Sequence, residues 1–423
     1  MTAGLHLGET MRAAVDLLKK RPGFRHLWFG NVISQLGDWI GWVAVAVLAL
    51  HSGGGPLDVA VVFAAHHLPA ALLTPVSGAL ADRFDRRRVL IVVSLLLAVT
   101  TAAMALAAVA SSLAVLEGLL VLRSAMSAFF APAERAVLPR VVERDELLLA
   151  GVFDAGSWSV VFSIGMALGG LLTMLGPTLA LAIDAFTFLL AAAIFARLPP
   201  VRPDRGARPP KRVAMAAELA EALRYLGGHG GLRQAILAKG PLALAGGAAW
   251  LALTVNAEAL LGAALGFGLL NAVRGVGAGL GPMMVVKTLG RGGDRQRVWS
   301  MVYAAGLAGM VAFALAETAV AGLLAAVVWG IGAGGNWVLS SERIAALGPD
   351  RLQARLNSID LIAMLGGQTL GVVALAIWID GGHSAASGVA ILAGFALASW
   401  TLLSRGARTP LLSAPGVNRS AAH

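Results

Sequence analysis

Residues 78–88 read Gly-Ala-Leu-Ala-Asp-Arg-Phe-Asp-Arg-Arg-Arg, and they join two apolar runs at 57–81 and 88–110. Each run has the roughly 20 residues that an α-helix needs to cross the hydrocarbon core of a bilayer. Arginines beside such helices keep a short loop in the cytoplasm. The stretch therefore predicts two membrane-spanning helices with a cytoplasmic loop between them.

The same alternation of apolar runs and basic gaps continues through the chain. We predict twelve spanning helices, at 27–50, 57–81, 88–110, 113–137, 147–174, 178–197, 235–258, 262–287, 298–316, 318–342, 356–379 and 385–404. Of the 33 Lys and Arg residues, all but Arg123, Lys239 and Arg274 lie in or beside the N-terminal segment, the gaps after the even-numbered helices, and the C-terminal tail. Because cytoplasmic loops retain Lys and Arg, we expect a multi-pass protein of the inner (plasma) membrane with both termini in the cytoplasm.

The composition argues against a soluble enzyme. The chain is 58% hydrophobic and 13% charged, whereas a soluble domain carries about 25% charged residues. Its net charge of +10 comes from clusters beside the predicted spans, where Lys and Arg set orientation and contact anionic lipids rather than nucleic acid. The chain has no Cys, no G-x-x-x-x-G-K-[ST] phosphate loop and no recognisable metal-ligand set. We therefore expect no enzymatic activity, no cofactor and no metal site.

The longest gap, 198–234, divides the predicted helices into six and six. It begins with a run of Pro and Arg that is too polar to enter hydrocarbon, and it continues as an amphipathic surface helix at 213–226. Residues 3–20 read either as a short amphipathic helix that ends before Pro22 or as an ordinary tail. The expected parts are an N-terminal segment 1–26, a bundle 27–197, a linker 198–234, a bundle 235–404 and a tail 405–423.

Small residues recur at the four-residue spacing that lets membrane helices pack closely. Gly165 and Gly169 have this spacing in the fifth helix, and Gly277 and Gly281 have it in the eighth. The expected fold class is an all-α membrane protein made of two six-helix bundles. Two bundles of equal size favour a substrate path between them at mid-membrane.

The 78–88 loop resembles the signature of the major facilitator superfamily, G-x-L-A-D-R-x-G-R-[RK], with Asp85 where that signature has Gly. Arg123, between Leu and Ser, resembles the membrane arginine of this superfamily. Residues 165–170 resemble its fifth-helix antiporter motif, with Met166 in place of Pro. Segments 34–38, 132–139 and 336–340 further resemble the branch that contains siderophore exporters and macrolide or multidrug efflux proteins.

The resemblance implies a twelve-helix secondary transporter whose two bundles rock to expose a central cavity to either side. It also implies proton-coupled export of amphiphilic compounds, such as drugs or secondary metabolites, by a monomer whose partners are its cargo, protons and membrane lipids. In this superfamily the loop forms a latch between the bundles on the cytoplasmic side. The matching positions are Gly78, Asp82, Arg83, Arg86 and Arg87. The alternative is that the loop arginines only set topology.

Polar residues inside the predicted helices are the candidate site residues, because charges within a membrane usually face a cavity or a partner. Asn31, Gln35 and Asp38 are spaced to lie on one stripe of the first helix, and Arg123 and Ser127 form a similar stripe in the fourth. We expect Arg123 to lie near Asp38 and this pair to act in proton coupling or gating. The alternative is a structural ion pair that never changes its protonation.

The second half supplies the remaining candidate cavity residues. They are Glu258 near the outer end of the seventh helix, Asn271 and Arg274 in the eighth, and Asn336, Trp337 and Ser340 in a glycine-rich, flexible part of the tenth. Glu258 suits a solvated position as well as contact with the cargo. Arg274 suits either packing and gating or attraction of an anionic cargo, and Trp337 suits a cargo surface or ordinary packing. For Asp154 in the fifth helix we expect a loop arginine as partner, and for Asp184 in the sixth a mainly structural role.

Two other functions stay open at the level of the sequence. A siderophore or lysolipid exporter fits the arginines in both halves, since these suit an anionic cargo. A transport-inactive membrane receptor or assembly partner fits the departures at Asp85 and Met166. It also fits the second-half loop 287–297, which keeps basic residues but has lost most of the signature.

Overall fold

The computed structural model describes residues 7–51, 55–81, 84–201 and 212–406, and all regular structure in these ranges is helical. Helices suit a chain in lipid because each one satisfies its own backbone hydrogen bonds. The helices are α1 (Leu7–Lys20), α2 (Pro22–Leu50), α3 (Pro56–Ala81), α4 (Arg86–Val109), α5 (Leu113–Ser127), α6 (Phe130–Val141), α7 (Leu147–Leu175), α8 (Pro177–Phe195), α9 (Arg212–Gly228), α10 (Gly230–Leu237), α11 (Lys239–Leu261), α12 (Ala263–Gly290), α13 (Arg295–Ala314), α14 (Ala319–Leu347), α15 (Gln353–Asp380) and α16 (Ala385–Gly406).

Twelve helical segments in the described ranges are long and apolar enough to cross a membrane. They match the twelve predicted spans in number and order, so the predicted fold class is confirmed. The fourth span consists of α5 and α6, which are separated at residues 128–129. The seventh span consists of α10 and α11, which are separated at Ala238. The remaining helices, α1 and α9, lie outside the spans.

Four predicted helix limits are wrong by four or five residues, and one of them is the end of the tenth span, which continues to Leu347 rather than ending at 342. The first span begins at Pro22 rather than at residue 27, because Pro is favoured at the first position of a helix, where its missing N–H is not needed. The fourth span continues to Val141, and the seventh begins at Gly230. In both cases a short helix extends the span beyond the apolar run into polar sequence.

The spans form two bundles with matching internal contacts. In the first bundle α2 packs against α7 and α8, and α4 packs against α5 and α8. In the second bundle α11 packs against α15 and α16, and α13 packs against α14 and α16. The most extensive contacts between the bundles are those of two helix pairs, α7 with α12 and α3 with α15. These pairs are the fifth span with the eighth and the second span with the eleventh. Because spans 1–6 correspond to spans 7–12, an approximate two-fold axis between the bundles relates one pair to the other.

One side of the molecule carries the basic loops. Arg21 precedes α2, Arg86 begins α4, Arg140 lies at the end of α6, Arg291 follows α12 and Arg351 precedes α15. We call this end of the spans the basic side. The opposite ends of the spans form the non-basic side.

The helices α1 and α9 lie on the basic side. Leu17 of α1 is 3% exposed and packs with Phe24 of α2, so α1 docks on the first bundle. The helix α9 lies where the sequence predicts a helix at 213–226, and the Tyr225 hydroxyl donates to the Leu347 carbonyl at 3.3 Å. This end of the linker therefore rests on the second bundle.

Glycines set the closest approaches between helices within each bundle. Gly165 and Gly169 of α7 face α2, where a Cβ added to either would lie 2.7 Å from a side-chain atom. Gly277 and Gly281 of α12 face the backbone of α14. Both predicted four-residue spacings are therefore packing contacts, and larger residues would force these helices apart.

One group of contacts between the bundles lies towards the non-basic side. A Cβ added to Gly268 of α12 would lie 2.7 Å from the Cα of Gly170 in α7, and both glycines are close to the non-basic ends of their helices. Trp250 of α11 stacks on Trp42 of α2 with ring centroids 5.6 Å apart, and it contacts Phe63 of α3 at 4.7 Å. These aromatic rings and glycines close the space between the bundles at that side.

We predict that Gly169→Ala destabilises the protein, because the added methyl would lie 3.0 Å from the Cα of Ile40 and would push α7 away from α2. Overpacking of this kind costs about 1–3 kcal/mol. Gly118→Ala in α5 is the matched control, since nothing lies within 4 Å of the position that its Cβ would take. Thermal unfolding in detergent should show a lower midpoint for Gly169→Ala than for the parent protein, whereas Gly118→Ala should not lower the midpoint. Equal midpoints for the two variants would contradict the packing.

Candidate functional site

A charged cluster surrounds Arg123 of α5 inside the first bundle. Its Nη2 contacts Asp38 Oδ1 of α2 and donates to Asp184 Oδ2 of α8 at 3.0 Å, while Nε donates to Thr101 Oγ1 of α4 at 3.0 Å. The guanidinium also lies over the Phe188 ring, 5.3 Å from its centroid. One side chain therefore joins four helices. The expected proximity of Asp38 and Arg123 is present, and we call Asp38, Arg123 and Asp184 the triad.

The two carboxylates of the triad differ in access. Asp184 has 1% of its side-chain surface exposed, whereas Asp38 has 39% exposed. Asp184 is enclosed because Gly37 and Gly41 bring the α2 backbone against it, so that a Cβ on Gly41 would lie 2.9 Å from the Asp184 Cγ. Its Oδ1 has no hydrogen-bond donor within the described part of the chain. Asp38 is thus the member of the triad that is open to the space beside α2.

Sequence reasoning missed the partnership of Asp184 with Arg123. We expected a mainly structural role for this acid, and nothing in the order of residues links position 184 to position 123. The available signal was the pair Gly37 and Gly41, one turn apart and flanking Asp38. Their small size indicates that another helix comes close at the depth of this acid.

A second polar group continues along α2 towards the basic side. The Asn31 amide donates to Glu134 Oε1 of α6 and to Asp154 Oδ1 of α7, the latter at 3.4 Å, and Gln35 donates to Asn31 Oδ1 at 2.9 Å. Asn31, Gln35 and Asp38 therefore form a continuous stripe, as expected. Among the described residues the hydrogen-bond partner of Asp154 is Asn31, not the loop arginine that we expected. Glu134 lies inside the predicted fourth helix but was not among the predicted site residues, because its partner Asn31 is 103 residues away in sequence.

Ser127 does not join the triad. It is the last residue of α5, and its hydroxyl donates to the Ser124 carbonyl at 2.8 Å. Ser124 instead connects the helices, since its hydroxyl donates to the His66 carbonyl of α3 at 2.6 Å. The His66 ring lies 4.2 Å from that of Trp42. In the described ranges, no three Asp, Glu or His side chains form a metal-binding group.

Arg274 of α12 lies in the seam between the bundles. Its Nε and Nη2 donate to Asn271 Oδ1 at 3.2 and 2.9 Å. The guanidinium lies 4.8 Å from the ring centroid of Trp329 in its own bundle and 5.2 Å from that of Phe162 in the first bundle. Asn271 is fully buried and donates to the Phe267 carbonyl at 2.9 Å. Asn271 therefore positions Arg274.

A buried ion pair in the second bundle was not predicted as a site. Lys239 Nζ of α11 donates to Asp360 Oδ2 of α15 at 2.6 Å, with 4% and 11% of the two side chains exposed. The ammonium also lies 4.5 Å from the ring centroid of Trp337, which is 50% exposed. Lys239 was recognisable as an intramembrane cation, but its partner lies 121 residues away in sequence.

Two predicted cavity residues lie inside the second bundle, and a third, Glu258, has the solvated position that was its alternative. Asn336 is 4% exposed and accepts from Trp299 Nε1 at 2.8 Å, inside the second bundle. Ser340 is fully buried, and Glu258 is exposed near the non-basic end of α11. The expected flexible segment of the tenth helix is wrong, because Gly334 packs against the backbone of α12 at Ala278 within a continuous helix.

The described part of the 78–88 loop is held to its own bundle. Asp85 caps α4, where its Oδ1 accepts from the N–H groups of Arg87 at 3.0 Å and Val201 at 3.3 Å. The Arg86 N–H donates to the Val201 carbonyl at 3.0 Å, and the Arg87 guanidinium donates to the Ala196 carbonyl. Asp85 therefore provides a helix cap where the signature has Gly.

The predicted latch also includes Gly78, Asp82 and Arg83, which precede the residues just discussed. Gly78 lies in the last turn of α3, while Asp82 and Arg83 lie outside the described residues. In the second-half loop, Asp294 caps α13 by accepting from the Arg297 N–H at 2.8 Å. Residues 85–88 and 294–297 thus share the pattern Asp-Arg-x-Arg, a similarity that the lost signature concealed.

Comparison with known proteins places this arrangement among transporters. Residues 18–415 match the family model described as "Transmembrane secretion effector". The chain is 31% identical over 219 residues to the MFS-type transporter YfiS of Bacillus subtilis, which is 50% of each chain. It is 28% identical over 219 residues to the multidrug efflux pump Tap of Mycolicibacterium fortuitum, covering 49% of this chain and 53% of that protein. The aligned part thus spans about half the length of these curated relatives.

The fold also matches solved structures. A crystal structure of a variant of the nucleoside transporter NupG superposes with a TM-score of 0.70 at 12% identity, covering 90% of this chain and 99% of the other. At this identity the likeness concerns the fold alone. The relatives and the family are membrane transporters and not enzymes.

We predict that Lys239→Met lowers stability by about 3–5 kcal/mol, because it leaves the Asp360 carboxylate buried without its cation. The double variant Lys239→Met/Asp360→Leu should recover most of this loss, since an apolar pair of similar size can replace a buried ion pair. Thermal and denaturant unfolding of the purified proteins measure the loss in the single variant and the recovery in the double variant. Arg351→Gln, which breaks an exposed pair with Glu221, is the control and should cost at most about 1 kcal/mol. A double variant as unstable as the single one would contradict the pairing.

A second prediction concerns the cap of α4. Asp85→Ala should lower stability by about 1 kcal/mol, whereas Asp85→Gly should cost only a few tenths. Asp85→Asn should be close to the parent, because its amide oxygen can accept the same N–H groups. The midpoints of thermal unfolding rank the three variants and the parent protein by stability. An Asp85→Ala midpoint equal to that of the parent would show that the cap does not stabilise the loop.

Proposed function

Because the chain belongs to the transmembrane secretion effector family of the major facilitator superfamily, we propose that it exports amphiphilic small molecules in exchange for protons. The two bundles alternate in opening to the two sides of the membrane. The basic side is the cytoplasmic side, in keeping with the retention of Lys and Arg there. The similarity of the chain to Tap, a multidrug efflux pump, supports export as the direction.

The observation that carries the proton coupling is the charge of the triad. Two carboxylates and one guanidinium carry a net charge of −1, and one bound proton makes the triad neutral. An uncompensated charge inside a membrane is costly, so binding and release of a proton change the energy of this cluster strongly. Asp38 is the proton acceptor in this proposal, since 39% of its side chain is exposed while Asp184 is enclosed.

The triad also links the proton to helix movement. Arg123 holds α2, α4 and α8 to α5 through Asp38, Thr101 and Asp184. A proton on Asp38 removes one of the charged contacts and weakens the tie between α2 and α5. The guanidinium then remains paired with Asp184. The bond between these two helices thereby depends on protonation, as a coupled transporter requires.

We infer a route for the proton along α2. Asn31 and Gln35 are hydrogen-bonded to each other and lie on the stripe that ends at Asp38. Seven residues separate Asn31 from Asp38, which is about 10 Å along a helix. Glu134 and Asp154 contact Asn31 from α6 and α7. These carboxylates provide proton acceptors between the basic side and the triad.

Loading from the cytoplasm agrees with the contacts between the bundles. Trp42, Phe63 and Trp250 close the non-basic side, and Gly170 packs against Gly268 on the same side. We infer a conformation that is closed to the outside, in which Asp38 is reached from the cytoplasmic side. An exporter binds its cargo in such a state.

Transport by reconstituted protein tests this proposal. Vesicles with an imposed proton gradient are screened with dyes, macrolides, siderophores and lysolipids. We expect gradient-dependent movement by the parent protein, loss of that movement in Asp38→Asn, and normal movement in Asp380→Asn. Asp380 is the matched control because it is exposed at the non-basic end of α15.

The other outcomes separate the competing functions. Movement of cargo that ignores the gradient would contradict proton coupling and favour a uniporter or lipid-moving role. Asp38→Asn transport at the parental rate would show that the triad is a structural ion pair. Absence of movement across the whole panel would favour a receptor or assembly partner.

A further inference from the structure

Arg274 is a membrane cation with only neutral partners in the described part of the chain. It lies 11 residues from Ala263, the start of α12, which is about 16 Å along the helix and hence deep within the hydrocarbon. Both of its hydrogen bonds go to one oxygen, Asn271 Oδ1. Described carboxylates form no ion pair with it, and its Nη1 has no hydrogen bond to them.

The other two cations in the predicted spans, Arg123 and Lys239, differ from Arg274 because each contacts a carboxylate. Arg123 contacts the carboxylates of Asp38 and Asp184, and Lys239 pairs with that of Asp360. An arginine at the centre of a membrane costs several kcal/mol without compensation. The rings of Phe162 and Trp329 offset part of this cost through cation–π contacts, but among the described residues no anion meets the hydrogen-bonding edge of the guanidinium.

An aromatic wall continues from Arg274 along the first bundle. The Trp39 ring meets Phe162 edge to face, with centroids 4.7 Å apart, and Trp158 stacks on Phe162 at 5.2 Å. Trp158 is 43% exposed. The Trp39 indole N–H is buried and has no acceptor within the described residues. A hydrogen-bond donor and further apolar ring faces therefore pack against Phe162, the ring of the first bundle that contacts the guanidinium.

We propose that Arg274 binds the anionic group of the cargo, and that the aromatic or apolar part of the same cargo lies against Trp39, Trp158 and Phe162. The substrate class is then an amphiphilic anion carrying a carboxylate, sulfonate or phosphate. A planar guanidinium suits these groups because it can donate two parallel hydrogen bonds to them. This inference rests on the proposed function, and it narrows the cargo from amphiphiles in general to anionic ones.

The location of the site explains how such a cargo would act on both bundles. Arg274 belongs to α12 and Trp329 to α14 of the second bundle, whereas Phe162 and the rest of the aromatic wall belong to α2 and α7 of the first. A bound anion would contact the second bundle through its charge and the first through its apolar part. Movement of α7 relative to α12 would separate these two contacts.

Binding of two matched probes tests the inference without any gradient. Pyrenebutyrate and pyrenebutyramide share one shape and differ in charge, and energy transfer from tryptophan to pyrene reports their binding to purified protein. We expect the parent protein to bind the acid more tightly than the amide by about ten- to a hundredfold, the range for a hydrogen bond to a charged group. Arg274→Gln should reduce this ratio to about one and leave amide binding unchanged. Arg274→Lys should keep part of the ratio.

The control is Arg291→Gln, which removes a positive charge from the exposed end of the same helix and should leave the ratio unchanged. A parent protein without preference for the acid, or with neither probe bound, would overturn the inference. An Arg274→Gln variant that still prefers the acid would also overturn it, even if that variant is less stable than the parent protein. The proposed function fails on different data, namely gradient-driven transport and its dependence on Asp38.

Discussion

A charged side chain inside hydrocarbon is tolerated only where a partner or a polar cavity compensates it, and this constraint organises the first bundle around Arg123. The guanidinium draws Asp38 and Asp184 to one point, and the glycines at 37 and 41 let α2 come close enough for Asp184 to reach it. Four helices meet at this side chain, and in the proposed function their relative positions depend on how many of the surrounding groups are charged. The small residues of α2 and the charges of α5 and α8 are thus parts of a single arrangement.

The two halves use one scaffold with different charges. Asn31 lies nine residues after the start of the first span, and Lys239 lies nine residues after the start of the seventh. Asp154 and Asp360 likewise lie seven residues after the starts of α7 and α15. In the first half this position holds an amide–carboxylate contact of 3.4 Å, and in the second half it holds an ion pair of 2.6 Å. The first bundle also contains the acidic triad, while the second contains Arg274, which forms no ion pair with a described carboxylate. This asymmetry fits the proposed division, in which protons act on the first bundle and the anionic cargo is held by the second.

Much of the architecture could be predicted because its causes are local. Apolar length and the positions of Lys and Arg predicted twelve spans, and the four-residue glycine spacings of α7 and α12 predicted close packing that the structure contains. Errors arose where a helix crosses a boundary in composition, as at Pro22, which begins α2 instead of ending α1. The stripe of Asn31, Gln35 and Asp38 was also predictable, since it depends only on helical periodicity.

Partners between distant helices were not predictable in this way. Lys239 with Asp360, Arg123 with Asp184 and Asn336 with Trp299 are each separated by tens of residues or more, and periodicity says nothing about which helix faces which. The sequence by itself determined the number of spans, their basic side and the presence of charges within them, because hydrocarbon acts on each segment separately. Only the tertiary structure decided which charges are paired and which one, Arg274, is left in the seam, because that depends on how helices from both bundles pack together.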